Sequence, residues 1–221
     1  MTSYATQPSL QEKAQRSRLG PLLRSAHSLL KYVGWRRQCQ PPAPPHVKRS
    51  MLVEYVNRYQ PDAFVETGTY RGDTVAKVRG RVASVVSIEL DEQLATLARR
   101  RFARCQNVTI VQGDSAEMLR TVVPGLPGRA VFWLDGHYSG GVTAGAGACP
   151  LTSELLTILA DARDHIILVD DVRLFGTSGY PTVDEIHAAL NGSGRLFDVK
   201  NKLDTLRIVP SSLSRDNNRM N

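Results

Sequence analysis

The stretch FVETGTYRGD, residues 64–73, interrupts an apolar run with an acid, Glu66, and then places glycines at positions 68 and 72. A glycine directly after a strand lets the backbone approach a ligand closely, because it carries no Cβ atom. A second acid, Glu89, ends the run SVVSIEL 23 residues after Glu66, which is the spacing of a strand-helix-strand unit. This layout predicts a site for a nucleoside-containing ligand, with Glu89 accepting both ribose hydroxyls.

The same residues also have a purely structural interpretation. Gly68 and Gly72 can form a tight turn, and Glu89 can cap the helix that follows it. A dinucleotide site of the GxGxxG type would direct a glycine-rich turn at a pyrophosphate, whereas this chain has GTYRG. The sequence therefore favours a ligand without a pyrophosphate.

Outward from this stretch, β-rich apolar runs alternate with helical patterns. Each of five runs precedes a helical segment: AFVETG, SVVSIEL, VTIVQGD, AVFWLDG and HIILVDDV. Two further runs, LFDVKNKLD and TLRIVPS, are joined by a short connection around Asp204, which suits an antiparallel hairpin. The pattern predicts an α/β fold with a doubly wound, mostly parallel sheet that ends in an antiparallel hairpin.

Composition indicates one catalytic-sized domain with an appendage. Residues 1–18 are polar and aperiodic, which predicts a disordered tail. The pattern of residues 19–45 predicts a basic amphipathic helix followed by the proline-rich boundary PPAPP. The main domain is predicted to span residues 46–213, and residues 214–221 are predicted to form a second tail. The apolar stripe of residues 19–37 predicts a protein interface, with the chain's own domain or in a homodimer, and an anionic membrane surface is the alternative partner.

Charge and cysteine content narrow the function classes. The chain of 221 residues has a net charge of +7, but the excess is concentrated near the N-terminus and around Arg99, Arg100, Arg101 and Arg104. Such an arginine run is typical of a solvated helix face, which argues against a nucleic-acid partner. The three cysteines lack CxxC spacing, so the sequence predicts neither a disulfide framework nor a zinc site. The sequence also has no apolar stretch long enough to span a membrane, and together these features predict a cytoplasmic protein.

Acidic residues end all five of the strands in the parallel part of the predicted sheet. These residues are Glu66, Glu89, Asp114, Asp135 and the pair Asp170 and Asp171. Ligands of open parallel sheets bind beyond the carboxyl ends of the strands. One such acid is ordinary helix capping, but five ends in register predict a binding site.

From about residue 50 to 210, this ordered set of motifs resembles the class I S-adenosylmethionine-dependent methyltransferases. The resemblance implies a seven-stranded sheet, with Glu66 and the Gly68–Gly72 loop near the methionine moiety of the cofactor. It also implies that Glu89 binds the ribose and that Asp114 with Ser115 lies near the adenine. Tyr70, within the loop, and Asp135 are further predicted cofactor contacts, and simple packing is the alternative role of Tyr70.

The segments WLDGHYSGG, residues 133–141, and LVDDV, residues 168–172, form a second constellation. Asp135, Asp170 and Asp171 are predicted to converge, and a hard divalent cation would relieve their mutual repulsion. The arrangement is similar to that of the metal-dependent small-molecule O-methyltransferases of the catechol, caffeoyl-CoA and macrolide-sugar type. The resemblance implies a magnesium ion that orients a substrate hydroxyl, although a glycine-rich insertion here lengthens the separation of Asp135 and Asp170 to 35 residues.

His137 lies two residues after Asp135 and is a predicted base for the acceptor hydroxyl. The glycine-rich loop 139–147 is predicted to be a lid that closes over the substrate. The alternatives for His137 are an ordinary loop histidine or a simple substrate contact, and the alternative for the loop is ordinary surface disorder. The resulting prediction is an S-adenosylmethionine-dependent O-methyltransferase that acts, with magnesium, on a hydroxyl of a small molecule or sugar. The alternatives are a metal-independent enzyme with His137 as its base and an inactive cofactor-binding module.

Overall fold

The computed structural model describes residues 41–135, 149–177 and 179–217. The chain divides into two compact units, Met1–Pro45 and His46–Asn221, and the second contains the sheet. The predicted tail 1–18 and amphipathic helix 19–37 lie outside the described residues, so their structure and interface stay predictions. None of the helices in the described ranges is long and apolar enough to cross a membrane.

A seven-stranded sheet with strand order β3-β2-β1-β4-β5-β7-β6 forms the centre of the second unit. The strands are β1 (Ala63–Thr67), β2 (Ser84–Glu89), β3 (Val108–Gln112), β4 (Ala130–Leu134), β5 (Ile166–Val169), β6 (Phe197–Lys202) and β7 (Thr205–Pro210). Strands β1 to β5 pair in parallel, while β7 pairs antiparallel with both β5 and β6. The predicted mostly parallel, seven-stranded sheet with a C-terminal hairpin is confirmed.

Seven helices of the described ranges surround or extend the sheet. They are α1 (Pro45–Tyr59), α2 (Asp73–Val78), α3 (Glu92–Arg101), α4 (Ser115–Val122), α5 (Leu151–Leu159), α6 (Val183–Gly192) and α7 (Ser211–Asn217). A short 3-10 turn, Val172–Leu174, follows β5. Helix α7 continues four residues past the predicted domain end at residue 213, and it packs against the terminal hairpin.

Alternation along the central strands builds two cores, one on each face of the sheet. In β4, Phe132 and Leu134 belong to one apolar cluster, whereas Val131 and Trp133 belong to the other. The first cluster includes residues of α4, α5 and α6, and the second includes residues of α1, α2 and α3. Because both faces are covered, β1, β4 and β5 are buried along their whole length, as expected of central parallel strands.

Gly72 is required where the chain enters α2. Its φ is +71°, and a Cβ atom there would lie 2.6 Å from Cε2 of the buried Phe102 ring. We expect Gly72→Ala to lower the free energy of unfolding by about 1–3 kcal/mol, because the residue would be both strained and overpacked. Urea unfolding measures this. Gly80→Ala, where the added Cβ would meet nothing within 4 Å, is the matched control.

Candidate active site

The turn after β1 brings the first strand end close to the fourth. Gly68 has φ +90°, and its amide donates a hydrogen bond to the Ile88 carbonyl oxygen at 2.8 Å. A Cβ atom at this position would lie 3.3 Å from the backbone oxygen of Asp135. The glycine thus allows an exposed backbone turn to pass directly over the end of β4, as a cradle for a bound molecule requires.

Glu89 holds the other side of this turn. Its Oε2 accepts a hydrogen bond from the Tyr70 amide at 2.7 Å, and its Oε1 accepts one from the Asp91 amide at 3.1 Å. Glu89 does not cap the next helix, because Asp91 is the N-cap of α3 and accepts from the Leu94 amide. Each carboxylate oxygen has a second lone pair, so two ligand hydroxyls can still be accepted.

Glu66 lies inside the domain under the same turn. It is 1% exposed, and the Ser87 hydroxyl donates to its Oε1 at 2.6 Å. Ser87 is in turn 2.5 Å from the Thr69 hydroxyl. Burial raises the pKa of Glu66 to about 8 against the opposing hydrogen bond from Ser87. Glu66 is therefore protonated at pH 7 and links β1, β2 and the turn through hydroxyl groups.

At the end of β3, the structure assigns Asp114 a local role. Its side chain caps α4 by accepting from the Ala116 amide at 2.8 Å, and it remains exposed. Gly113, immediately before it, donates its amide to the Glu89 carbonyl oxygen at 2.9 Å. Asp114 and Ser115 thus lie next to the strand end that carries Glu89, and their contact with adenine stays a prediction.

Glu154 is a buried acid of this region that the sequence reasoning missed. It lies in the apolar stripe of α5 between Leu151 and Leu155 and is 0% exposed. Neither of its carboxyl oxygens has a hydrogen-bond partner among the described residues. Burial raises its pKa to about 7, while the nearby Ser115 and Thr67 hydroxyls lower it without forming hydrogen bonds of normal geometry. An acid at an apolar helix position was the signal available in the sequence.

Glu154 should make stability depend on pH. Its pKa is about 7 in the folded chain against 4.5 unperturbed, so between these values only the folded state holds the proton. Stability is therefore lost as pH rises from 4.5 through 7, by roughly 3 kcal/mol. We expect Glu154→Gln to match the wild type near pH 5 and to exceed its free energy of unfolding by about 1–3 kcal/mol at pH 8.

Urea unfolding of both proteins at several pH values measures this difference. The exposed acid of α4, changed as Glu117→Gln, is the control and should show no such trend. A constant difference between Glu154→Gln and the wild type across this range would contradict the prediction.

Asp135, Asp170 and Asp171 come together at the ends of β4 and β5. Each offers a carboxylate oxygen, and these oxygens lie within 4.8 Å of one another. Asp170 and Asp171 are buried, and Asp135 is partly exposed. Asp171 has φ +59°, an uncommon conformation for a residue with a side chain. The three acids form the acidic cluster, and their type and spacing suit a divalent cation.

A lysine reaches into the acidic cluster from a distant helix. Lys48 of α1 places Nζ 2.5 Å from Oδ1 of Asp170 and 3.1 Å from Oδ1 of Asp171. Arg173 also donates to Oδ1 of Asp171, at 2.6 Å, and pairs with Asp204. The sequence signal for Lys48 was its position on the buried stripe of α1, with Met51, Leu52, Val56 and Tyr59.

These ion pairs and burial set the protonation of the cluster. Burial raises the pKa of Asp170 to about 7, against the opposing charge of Lys48. The pKa of Asp171 is lowered, because Arg173 and Lys48 together outweigh its burial. Burial likewise opposes the charge of Lys48, but Asp170 and Asp171 raise its pKa overall. Lys48 is therefore a cation at neutral pH.

Lys48 takes up part of the capacity of the acidic cluster to bind a magnesium ion. Oδ1 of Asp170 already accepts from Lys48 and from the Asp171 amide, and Oδ1 of Asp171 accepts from Lys48 and Arg173. Both oxygens are thus saturated, and an ammonium group would repel a divalent ion beside it. The prediction of a magnesium site stays a prediction. His137 and the predicted lid 139–147 lie outside the described residues.

Comparison with known proteins supports the fold. No protein-family model matches the sequence, and a search of curated proteins gives no significant match. Solved structures do match. They include TomG from Streptomyces achromogenes, an O-methyltransferase involved in tomaymycin synthesis that was solved in complex with S-adenosylmethionine. This match has 18% sequence identity and a TM-score of 0.55, and it covers 83% of this chain and 89% of TomG.

Two further structures agree with this match. The methyltransferase PaMTH1 from Podospora anserina, bound to S-adenosylhomocysteine, matches at 19% identity and TM-score 0.54 over 93% of this chain and 98% of its own. An O-methyltransferase from Bacillus cereus in complex with S-adenosylhomocysteine matches at 15% identity and TM-score 0.54 over 83% and 90%. The chain therefore has the fold of the class I S-adenosylmethionine-dependent methyltransferases.

Proposed function

We propose that this protein is an S-adenosylmethionine-dependent O-methyltransferase that acts on a hydroxyl of a small molecule or sugar. One observation carries the proposal: in this fold, Glu89 presents both carboxylate oxygens beside the Gly68 turn, with each oxygen fixed by one backbone amide. A carboxylate held in this way is suited to a ribose diol. Among the matched structures, TomG and the Bacillus cereus protein are O-methyltransferases.

The residues around the turn would divide the cofactor between them. Glu89 would bind the ribose hydroxyls, and the Gly68–Gly72 backbone with Tyr70 would lie along the methionine moiety. Glu66 would support this turn from inside through Ser87 and Thr69. Asp114 and Ser115 would lie at the adenine. When bound, the cofactor supplies an electrophilic methyl group on a positively charged sulfur.

The acceptor would lie beside Asp135, at the mouth of the acidic cluster. Holding a hydroxyl in line with a methyl donor supplies a large part of the catalysis, because the reaction becomes effectively unimolecular. Asp135 is the partly exposed member of the cluster and is next to the Gly68 turn. His137 is the proposed base, and magnesium held by the cluster is the alternative means of activating the hydroxyl.

Transfer of a labelled methyl group tests the proposal. The purified chain is incubated with S-adenosylmethionine carrying a tritiated methyl group and with a panel of catechols, hydroxylated aromatic compounds and sugars. We expect label in at least one acceptor, and we expect Asp135→Asn to abolish transfer while cofactor binding survives. Parallel reactions with EDTA separate the metal-free mechanism from the magnesium-assisted one. Incorporation of label at nitrogen or carbon positions alone would contradict the O-methyltransferase assignment.

A further inference from the structure

The buried contact between Lys48 and the acidic cluster joins segments that are far apart in the chain. Lys48 and Asp170 are separated by 122 residues, and both are almost fully buried. A buried lysine needs a partner, because an isolated ammonium group inside a protein is very costly. The lysine and two of the three acids satisfy this requirement for each other.

Lys48 bridges two of the three acids of the acidic cluster. One ammonium contacts oxygens from two acids of the cluster, as a bridging cation does. Arg173 does not replace it, because Arg173 contacts Asp171 and Asp204 and has no contact with Asp170 in the described structure. Lys48 is thus the group that joins the two acids.

We propose that the Lys48 ammonium is the resident cation of the acidic cluster and excludes a divalent metal from it. The exclusion of a metal does not depend on the proposed function. Its consequence does rest on the proposed function, and that consequence is that methyl transfer at this site requires no added metal. In that case, the positive charge beside the acceptor belongs to the chain itself. The lysine also positions Asp170 and Asp171, because it fixes both carboxylates through their Oδ1 atoms.

Titration with Mn²⁺ tests the exclusion directly. The full-length wild type and Lys48→Met are each titrated by calorimetry after treatment with a chelator and buffer exchange. Methionine keeps much of the apolar length of lysine and removes its charge. We expect Lys48→Met to bind one Mn²⁺ at least about tenfold more tightly than the wild type, since the repulsion is removed and two carboxylate oxygens each lose one hydrogen-bond donor.

Two further variants identify the site. Lys77→Met removes an exposed lysine of α2 and should bind Mn²⁺ no better than the wild type. Lys48→Met combined with Asp170→Asn removes a ligand and should lose the affinity that Lys48→Met gains. Equal affinity of the wild type and Lys48→Met for Mn²⁺, or no binding by either, would overturn the proposal.

Folding is followed in the same samples by circular dichroism. Mn²⁺ should raise the melting temperature of Lys48→Met and leave that of the wild type unchanged. If Lys48→Met does not fold alone, refolding in Mn²⁺ should restore the native spectrum, and failure to do so would also overturn the proposal. Binding of S-adenosylhomocysteine is measured separately on the wild type, so that a failure of the proposed function is distinguished from a failure of this inference.

Discussion

Replacing Lys48 with methionine should lower the free energy of unfolding by about 3–5 kcal/mol in metal-free buffer. The reason is the state of the partners left behind. Asp170 and Asp171 are both buried, and they lie beside Asp135. Without the ammonium, the acids would repel one another, or Asp170 would have to take up a proton. Urea unfolding in the presence of EDTA measures the loss.

Two further variants test whether charge causes this loss. Lys77→Met should change stability by no more than about 0.5 kcal/mol, because its side chain is exposed. Adding Asp170→Asn to Lys48→Met should recover part of the loss, because Asp170, which has lost its ion pair with Lys48, becomes neutral. A change of less than about 1 kcal/mol for Lys48→Met would show that the buried pair has little effect on stability, and a double variant that is less stable still would show that uncompensated charge does not cause the loss.

Replacing Glu89 with alanine should weaken binding of S-adenosylhomocysteine by about tenfold to a thousandfold. Hydrogen bonds to a charged acceptor contribute about 1.5–3 kcal/mol each, and the variant would lose those to the ribose. It would also lose the hydrogen bond that holds the Tyr70 amide at 2.7 Å, so the turn would be less well ordered. Calorimetric titration measures the affinity, and circular dichroism establishes that the variant is folded.

Glu92 provides the matched control, because it is an exposed glutamate three residues further along, in the first turn of α3. Glu92→Ala should bind S-adenosylhomocysteine like the wild type. Glu89→Gln should fall between the wild type and Glu89→Ala, because one oxygen acceptor remains. A folded Glu89→Ala protein with unchanged affinity would remove Glu89 from the cofactor site.

The acids around the site are accommodated in two physically different ways. Glu66 and Glu154 are deeply buried with pKa values raised to about 8 and about 7. Glu66 is consequently neutral at pH 7, and Glu154 is partly so. Asp171 instead stays ionised, because it is paired with Lys48 and Arg173. Burial dominates at Glu66 and Glu154, and ion pairing dominates at Asp171. Asp170 shows both effects, because burial raises its pKa to about 7 although Lys48 lies beside it.

The fold could be predicted because its determinants are local in sequence. Apolar runs that end in an acid marked β1 to β5, and the short connection at Asp204 marked the antiparallel hairpin of β6 and β7. The convergence of Asp135 with Asp170 and Asp171 followed from the same reasoning, since neighbouring parallel strands end at one edge of the sheet.

Lys48 and Glu154 could not be assigned a role because their environment is created by tertiary packing. Lys48 meets the acidic cluster only because α1 packs on the sheet face that also carries Phe64 and Trp133. Glu154 meets Thr67 and Ser115 only through the packing of α5 against the other face. In both cases the sequence showed a charged residue in an apolar helical stripe, but it did not show the partner.

Calorimetric titration of the wild-type chain with S-adenosylhomocysteine tests the central claim, which is that the Gly68 turn and Glu89 form the site of a methyltransferase cofactor. The titration is carried out in EDTA and repeated in excess magnesium, with NADH as a comparison ligand. We expect one molecule bound per chain, with the same affinity in EDTA and in magnesium, and no binding of NADH. The absence of S-adenosylhomocysteine binding under both conditions, or its displacement by NADH, would contradict the account.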